Sequence, residues 1–281
     1  MGETHRRAYS IRVTTDQNAG GARISLDAAL EGVTSIFSTK AADYAASRPD
    51  YPAVLFKTLA MTCPPTAAAS VVDIGSGTGL LTQGLLRMGY RVTAIEPNAE
   101  MRQAADLMLG GMAGYSSVNG CAESIPMQAG SVDLITAAQA FHWFEIEQAR
   151  AEFLRVLKPD GQVALIWNDR VMEDSLHAAL DKVFGEFGGQ QRAALVTRED
   201  RSGVSRFFGA GARKEFCWPH SHQLDEAGLL GLVFSRSYMP GRDADDGRRV
   251  VERVRQIFGQ FVVGGKVEVR YRTTAYLGRP A

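Results

Sequence analysis

VVDIGSGTG, Val71–Gly79, is the stretch whose reading decides the fold of this chain. Two valines, an aspartate and an isoleucine run straight into Gly75, Gly77 and Gly79, and the apolar helical run LLTQGLLRMG follows at once. The pattern describes a buried parallel strand, a tight turn and the N-terminus of a helix. Glycine suits such a turn because it accepts φ > 0 and has no Cβ to hold a ligand away from the backbone. A ligand site is therefore expected here, and the flanking sequence must say for which ligand.

Outward from the turn, strand and helix alternate. Ser70–Ile74, Arg91–Glu96, Ser116–Asn119, Val132–Ala138 and Gln162–Asn168 read as strands, and Leu80–Met88, Ala99–Leu109 and Ile146–Leu157 as helices. Lys158-Pro159-Asp160-Gly161 reads as a turn, proline pre-setting φ and glycine closing it. Alternation of this kind predicts an α/β fold, a Rossmann-like doubly wound sheet with helices on both faces. Upstream, residues 1–25 lack periodicity and read as an arm, Leu26–Phe37 as a short helix, and a helical piece stops at Arg48-Pro49. Pro52 fits the first turn of a helix over Ala53–Met61, which Cys63-Pro64-Pro65 breaks.

After Asn168 the alternation stops. Leu176–Phe187 reads as a helix, Gly188–Arg206 as irregular, Arg213–Trp218 as a strand and Asp225–Phe234 as a helix capped by Asp225. Val250, Val251, Val254, Ile257, Phe258, Phe261 and Val262 recur at helical spacing with arginines on the other side. Lys266–Tyr276 alternates as a strand. One domain over 1–281 is the economical reading: arm and lid 1–50, ligand-binding core 70–168, substrate lid 169–240, and closing helix and strand 241–281.

Composition narrows the function classes. Lys+Arg and Asp+Glu both count 31, so no global field points to nucleic acid or membrane. Cys63, Cys121 and Cys217 are odd in number and lack CxxC pairing, which reads as free thiols in a reducing compartment and not as a disulfide frame or zinc site. The polar N-terminus carries no signal-peptide pattern, and no apolar run approaches the ~20 residues that span a bilayer. A soluble cytoplasmic protein is expected, with a small-molecule partner, without nucleic acid or membrane, and monomeric or homodimeric.

The dinucleotide fingerprint G-x-G-x-x-G fails, because Leu80 stands where the third glycine belongs. The sequence is instead D-x-G-x-G-x-G, and the extra acid, Asp73, suits a cationic ligand. Glu96 ends the second strand at about the 20-residue spacing where an acid meets ribose hydroxyls, which suits an adenosyl group.

From about Tyr44 to the C-terminus the chain resembles the class I S-adenosylmethionine (SAM)-dependent methyltransferases. VVDIGSGTG looks like the family's first motif, which implies that Asp73, Gly75, Ser76, Gly77, Thr78 and Gly79 surround the methionine part of SAM. VTAIEPNAEM is similar to the second, implying Glu96 on the ribose with Pro97, Asn98 and Met101 beside the adenosine. NGCAESIPM resembles the adenine loop, implying Cys121, Ala122 and Glu123 around the base; the family often has aspartate where Cys121 stands. VDLITAAQAFHWF looks like the fourth strand and its active-site edge, with Gln139 among the SAM contacts. YAASRPDYP and AFHWF, with LLGLVFSRSYMP and YRTTAYLG, resemble the small-molecule methyltransferases related to trans-aconitate methyltransferase. That subgroup implies a seven-stranded sheet closing with an antiparallel pair. It also implies a segment over SAM with Arg48 near its carboxylate and Tyr44 near the methyl group.

The expected chemistry is methyl transfer from SAM to a small acceptor, leaving S-adenosylhomocysteine, with O- or C-methylation and a place in secondary metabolism in view. His142 follows the fourth strand at the edge where α/β ligands bind, and can be a general base or a packed, orienting residue. Tyr51, Trp143, Arg236 and Tyr238 are the expected acceptor contacts, Arg236 suiting a carboxylate or phosphate. His220 and His222 share one face of an extended segment, but no third ligand stands near, so no metal is expected. A cyclase-like enzyme that binds SAM without methyl transfer, and a non-enzymatic SAM-binding module, are the alternatives.

Overall fold

The computed structural model describes residues 47–198 and 201–281, with 194–198 by backbone alone. Tyr44, the N-terminal arm and the Leu26–Phe37 helix lie outside the described residues. In chain order the elements are α1 (Ala53–Thr62), β1 (Ser70–Ile74), α2 (Leu80–Arg87), β2 (Arg91–Ile95), α3 (Ala99–Leu109), β3 (Tyr115–Val118) and β4 (Val132–Ala138). There follow a 3₁₀ turn (Phe141–Trp143), α4 (Ile146–Val156), β5 (Leu157–Arg170), α5 (Ser175–Phe187), α6 (Gly189–Arg198) and α7 (Ser202–Phe208). The chain closes with β6 (Arg213–Leu224), α8 (Glu226–Phe234), α9 (Asp245–Phe261) and β7 (Val267–Gly278).

The strands form one seven-stranded sheet in the order β3-β2-β1-β4-β5-β7-β6. The pairs from β3 to β5 are parallel, and β7 runs antiparallel to both β5 and β6. This is the α/β sheet the alternation predicts, with its reversal at β7. Period-two alternation divides the core. Val72, Ile135, Leu165 and Trp167 face α4 and α7 on one side, while Val71, Leu134, Ala164 and Ile166 face α1 and α2 on the other. A third cluster joins α5, α8 and α9 to the first half of β7.

Three expectations need correction. The Lys158–Gly161 turn is absorbed into β5 as an irregularity, since Val132 pairs with Leu157 but Leu134 already pairs with Gln162. Gly188–Arg206 is largely helical, as α6 and α7; in α7, Val204, Phe207 and Phe208 bury against α4, so there tertiary packing overrides the local sequence. β6 runs on to Leu224 because β7 pairs with it along its whole length. Asp225 caps α8 as read, accepting from the Gly228 N–H at 2.8 Å. Among the described residues no helix is long and apolar enough to cross a membrane.

Gly84 tests the packing of α1 on α2. A Cβ there would stand 2.0 Å from Cζ of Phe56, a buried ring of α1. Gly84→Ala gains roughly 1 kcal/mol of helix propensity, but overpacking costs about 1–3 kcal/mol. Urea unfolding is expected to report a net loss that disappears in a Phe56→Ala background. An equal effect in both backgrounds rules the contact out as the cause.

Candidate active site

The site begins with a carboxylate that never reaches it. Asp73, next to last in β1, is buried, accepting from Thr82 Oγ1 of α2 at 2.6 Å and Thr136 Oγ1 of β4 at 2.8 Å. Burial raises its pKa to about 6, against the pull of those two hydrogen bonds. Expected beside the ligand, Asp73 instead fastens the base of the turn to its neighbours.

Above it the chain turns through Gly75, Gly77 and Gly79 at φ +65°, +56° and +85°. The Gly75 and Ser76 N–H groups both donate to Ile95 O, at 2.8 and 3.2 Å. At Gly75 a Cβ would meet that of Ala140 at 2.6 Å, so glycine is required by close approach as well as by φ. At Gly77 nothing lies within 4 Å of the missing Cβ, which leaves room for something else. Three expected contacts stay out of the cavity wall. The Ser76 carbonyl is used by the Gly79 N–H, Thr78 is buried, and Gly79 faces Leu109 and Ala105 of α3.

Glu96 fixes the turn from the side. Its Oε2 accepts from the Gly77 N–H at 3.0 Å and its Oε1 from the Asn98 N–H at 2.9 Å. Asn98 Oδ1 caps α3 on the Met101 N–H. Sequence reading missed Arg102, whose Nη1 donates to the carbonyls of Glu96 and Pro97 and to Asn119 Oδ1. Its signal was the helical spacing that puts the i+4 residue back over the Asn98 cap. Glu123 stands in the wall too, its carboxylate accepting the Glu145 N–H just before α4.

On the opposite wall β4 is followed at once by Gln139, a non-glycine residue at φ +55°. Such a conformation costs roughly 1–2 kcal/mol. It is held by the Gln139 N–H on Ile166 O at 2.9 Å and by Nε2 on Asn168 O at 3.1 Å. The 3₁₀ turn follows. Phe141 is driven into the core edge-on against Phe144, Trp167 and Phe207, which leaves His142 and Trp143 on the cavity side. The His142 and Trp143 rings lie 5.0 Å apart.

These elements enclose a cavity of about 670 Å³, within the roughly 300–1,000 Å³ of small-molecule sites. Its wall gathers Arg48, Gly75, Gly77, Glu96, Pro97, Asn98, Met101, Cys121, Ala122, Glu123, Gln139, His142, Trp143, Arg236 and Tyr238. A second chamber of about 150 Å³ adjoins it, sharing Arg48, Gln139, Arg236 and Tyr238 and adding Tyr51, Trp167, Asn168, Asp169, Arg170, Arg201 and Tyr271. The β5 residues there were missed, although the argument that singled out His142 applies equally at the end of β5.

Charge in the small chamber is unevenly paired. Arg170 bonds Asp181 at 3.1 Å, and Arg201 pairs with Asp169 and lies over Trp167. Arg236 lies 4.5 Å over the Phe184 ring, and its Nε is buried with no hydrogen-bond partner among the described residues. Desolvation, then repulsion from Arg48, lowers its pKa, while Tyr238 and Tyr271 pull the other way. His220 bonds Asp50 at 3.0 Å, and among the described residues no group of three metal-ligating side chains forms.

A family model for a methyltransferase domain matches residues 72–165. An uncharacterized methyltransferase of Mycobacterium tuberculosis is 33% identical over 221 residues, 79% of this chain and 84% of the relative. An uncharacterized methyltransferase-like protein of Schizosaccharomyces pombe is 34% identical over 246 residues, 85% of this chain and 93% of the relative. The chain belongs to the SAM-dependent methyltransferases. The fold of this methyltransferase is shared with a solved candidate type II methyltransferase from Anaeromyxobacter dehalogenans, at a TM-score of 0.56 and 22% identity, over 82% of this chain and 96% of that one.

The residues present fit SAM. A carboxylate has about four acceptor sites, so Glu96, with one backbone bond on each oxygen, can still accept two hydroxyls. The open space over Gly77 admits a ligand against the backbone.

The buried Asp73 makes the stability of the methyltransferase depend on pH. Its folded pKa of about 6 lies above the ordinary 3.8, so the folded state holds the proton longer and stability falls as pH rises from about 4 to 6. Against Asp73→Asn, which carries no charge, the wild type is expected to lose about 2 kcal/mol between pH 4 and 7 in urea unfolding. A pH-independent difference contradicts the assignment.

Proposed function

We propose that this methyltransferase alkylates a small acceptor bearing an anionic group, with SAM in the large cavity and the acceptor entering through the small chamber. The observation that carries the reading is the continuity of the two cavities across Arg48, Gln139, Arg236 and Tyr238. SAM, when bound, supplies a methyl group already activated on a sulfonium sulfur. The chain's task is then mainly alignment, which can contribute about 7–11 kcal/mol.

In this reading Glu96 accepts from the ribose diol, and Pro97, Asn98, Met101, Cys121 and Ala122 flank the adenosine. Gly75, Gly77 and Gln139 offer backbone to the methionine part, and Arg48 pairs with its carboxylate. Trp143, 56% exposed, and Tyr51, Tyr238 and Arg236 meet the acceptor. A buried guanidinium stays charged, and ring stacking offsets only part of its lost hydration. An anionic group on the acceptor gives Arg236 a charged partner beside its hydrogen bond with Tyr238. His142 removes a proton where a hydroxyl or an activated carbon accepts the methyl; an ionised acid needs no base. The likeness of YAASRPDYP and AFHWF to the group around trans-aconitate methyltransferase supports a small acceptor. Balanced charge and free thiols support a soluble enzyme of the reducing cytoplasm.

Calorimetry with S-adenosylhomocysteine is the first test, followed by detection of that product with panels of carboxylic acids and phosphate esters. Glu96→Ala is expected to weaken S-adenosylhomocysteine about 10–100-fold, as loss of charge-assisted bonds of about 1.5–3 kcal/mol requires. His142→Gln should retain that affinity and, for a protonated acceptor, lose about 10²–10⁴ in turnover; unchanged turnover removes the base. Arg236→Gln should leave S-adenosylhomocysteine binding intact and abolish discrimination between acid and amide acceptors. If it weakens S-adenosylhomocysteine but not 5′-methylthioadenosine, which lacks the amino-acid part, Arg236 serves the donor instead.

A further inference from the structure

Asn168 is a buried amide at the end of β5 whose polar atoms are committed in three directions. Its Nδ2 donates to Asp50 O at 2.9 Å, its Oδ1 accepts from Thr273 Oγ1 at 2.6 Å, and its backbone carbonyl accepts from Gln139 Nε2 at 3.1 Å. The orientation of the amide is forced. A backbone carbonyl only accepts, so the nitrogen must face Asp50, and the oxygen is left for the hydroxyl. Thr273 is the residue directly opposite on β7.

The three partners belong to three parts of the site. Asp50 lies in the strap 47–51, which carries Arg48 and Tyr51 into the cavity walls. Gln139 is the left-handed residue shared by both cavities, and Thr273 belongs to the strand that completes the sheet. A second tie holds the strap from β6, where His220 bonds the Asp50 carboxylate at 3.0 Å. That hydrogen bond is the main cause of the lowered Asp50 pKa. The strap precedes α1 and is no part of the sheet, so these two ties join it to β5 and β6, while Tyr51 packs against the α1–α2 core.

The geometry points to Asn168 as a positioning residue: it holds the strap over the SAM cavity and couples it to Gln139. The inference rests on the reading that Arg48 meets the donor, which is tested separately. Packing alone is the competing explanation for the position of the strap, and it makes a different prediction for the same variants.

Two quantities are measured on the full chain: hydrogen–deuterium exchange at the amides of Arg48, Asp50 and Tyr51, and affinity for S-adenosylhomocysteine. Asn168→Asp keeps the shape and an acceptor for Thr273 but sets a carboxylate against a carbonyl. It should raise strap exchange and weaken S-adenosylhomocysteine by about tenfold each, the factor that one ordinary net hydrogen bond supplies. Asn168→Ala should act the same way. Thr273→Val removes the other side-chain bond and leaves the strap tie, so both readouts should stay within about threefold of wild type. His220→Gln cuts the second tie from β6 and should raise strap exchange; it serves if the Asn168 variants fail to fold.

Unchanged strap exchange in Asn168→Asp and His220→Gln overturns the inference. An equal rise in Thr273→Val does so too, since it marks general loosening of the sheet. If Arg48→Gln weakens S-adenosylhomocysteine and Asn168→Asp does not, the positioning role also fails. If Arg48→Gln binds as wild type, the donor reading of Arg48 falls, and strap exchange alone decides whether Asn168 holds the strap.

Discussion

Thr82 and Thr136 donate to the two oxygens of one buried carboxylate, Asp73, and the site hangs from that arrangement. Removing a carboxylate from water is costly unless donors replace the hydration. Here the donors come from α2 and β4, the elements that flank the glycine turn, so satisfying Asp73 also sets their spacing from β1. The same hydroxyls limit the upward shift of its pKa, which burial alone would push further. A glycine-rich turn has little stiffness of its own. Its shape comes from beneath, through Asp73, and from the side, through Glu96 and the carbonyl of Ile95.

The opposite wall is stiff for another reason. Gln139 occupies a conformation that glycine would adopt without strain, yet a side chain is kept there and tied to Asn168. Strain of this kind persists where the surroundings over-determine it. One wall is thus a flexible turn made rigid by hydrogen bonds and the other a strained residue made rigid by its neighbours. Between them lies the boundary of the two cavities.

Much of this was legible in the sequence because the informative features are local. The alternation of β1 to β5 with α2 to α4, the three glycines, the acid at Glu96 and the apolar–polar split at Phe141-His142 are all contiguous signals. Asp73 was legible as an acid near the turn but not in its direction, because the hydroxyls that claim it stand 9 and 63 residues away. Glu123 was legible as a cavity residue, but its partner, the amide of Glu145, was not, being 22 residues away. α7 was missed because its stability comes from burial of Val204, Phe207 and Phe208 against α4, not from its own propensity. The small chamber was least legible, since Asn168, Arg201 and Tyr271 meet there only after the sheet has formed.

β7 follows β6 in the chain but lies between β5 and β6 in the sheet. During synthesis, then, β5 and β6 leave the ribosome with facing edges that cannot pair until Val267–Gly278 emerges and is inserted between them. The Thr273–Asn168 bond spans 105 residues and closes only at that late moment. A nascent chain can build the glycine turn and the Glu96 wall early, from β1 to β4. It has no small chamber until the last strand is in place, and until then its two open edges invite pairing with other chains. The two cavities are thus separated in the order of assembly as well as in space.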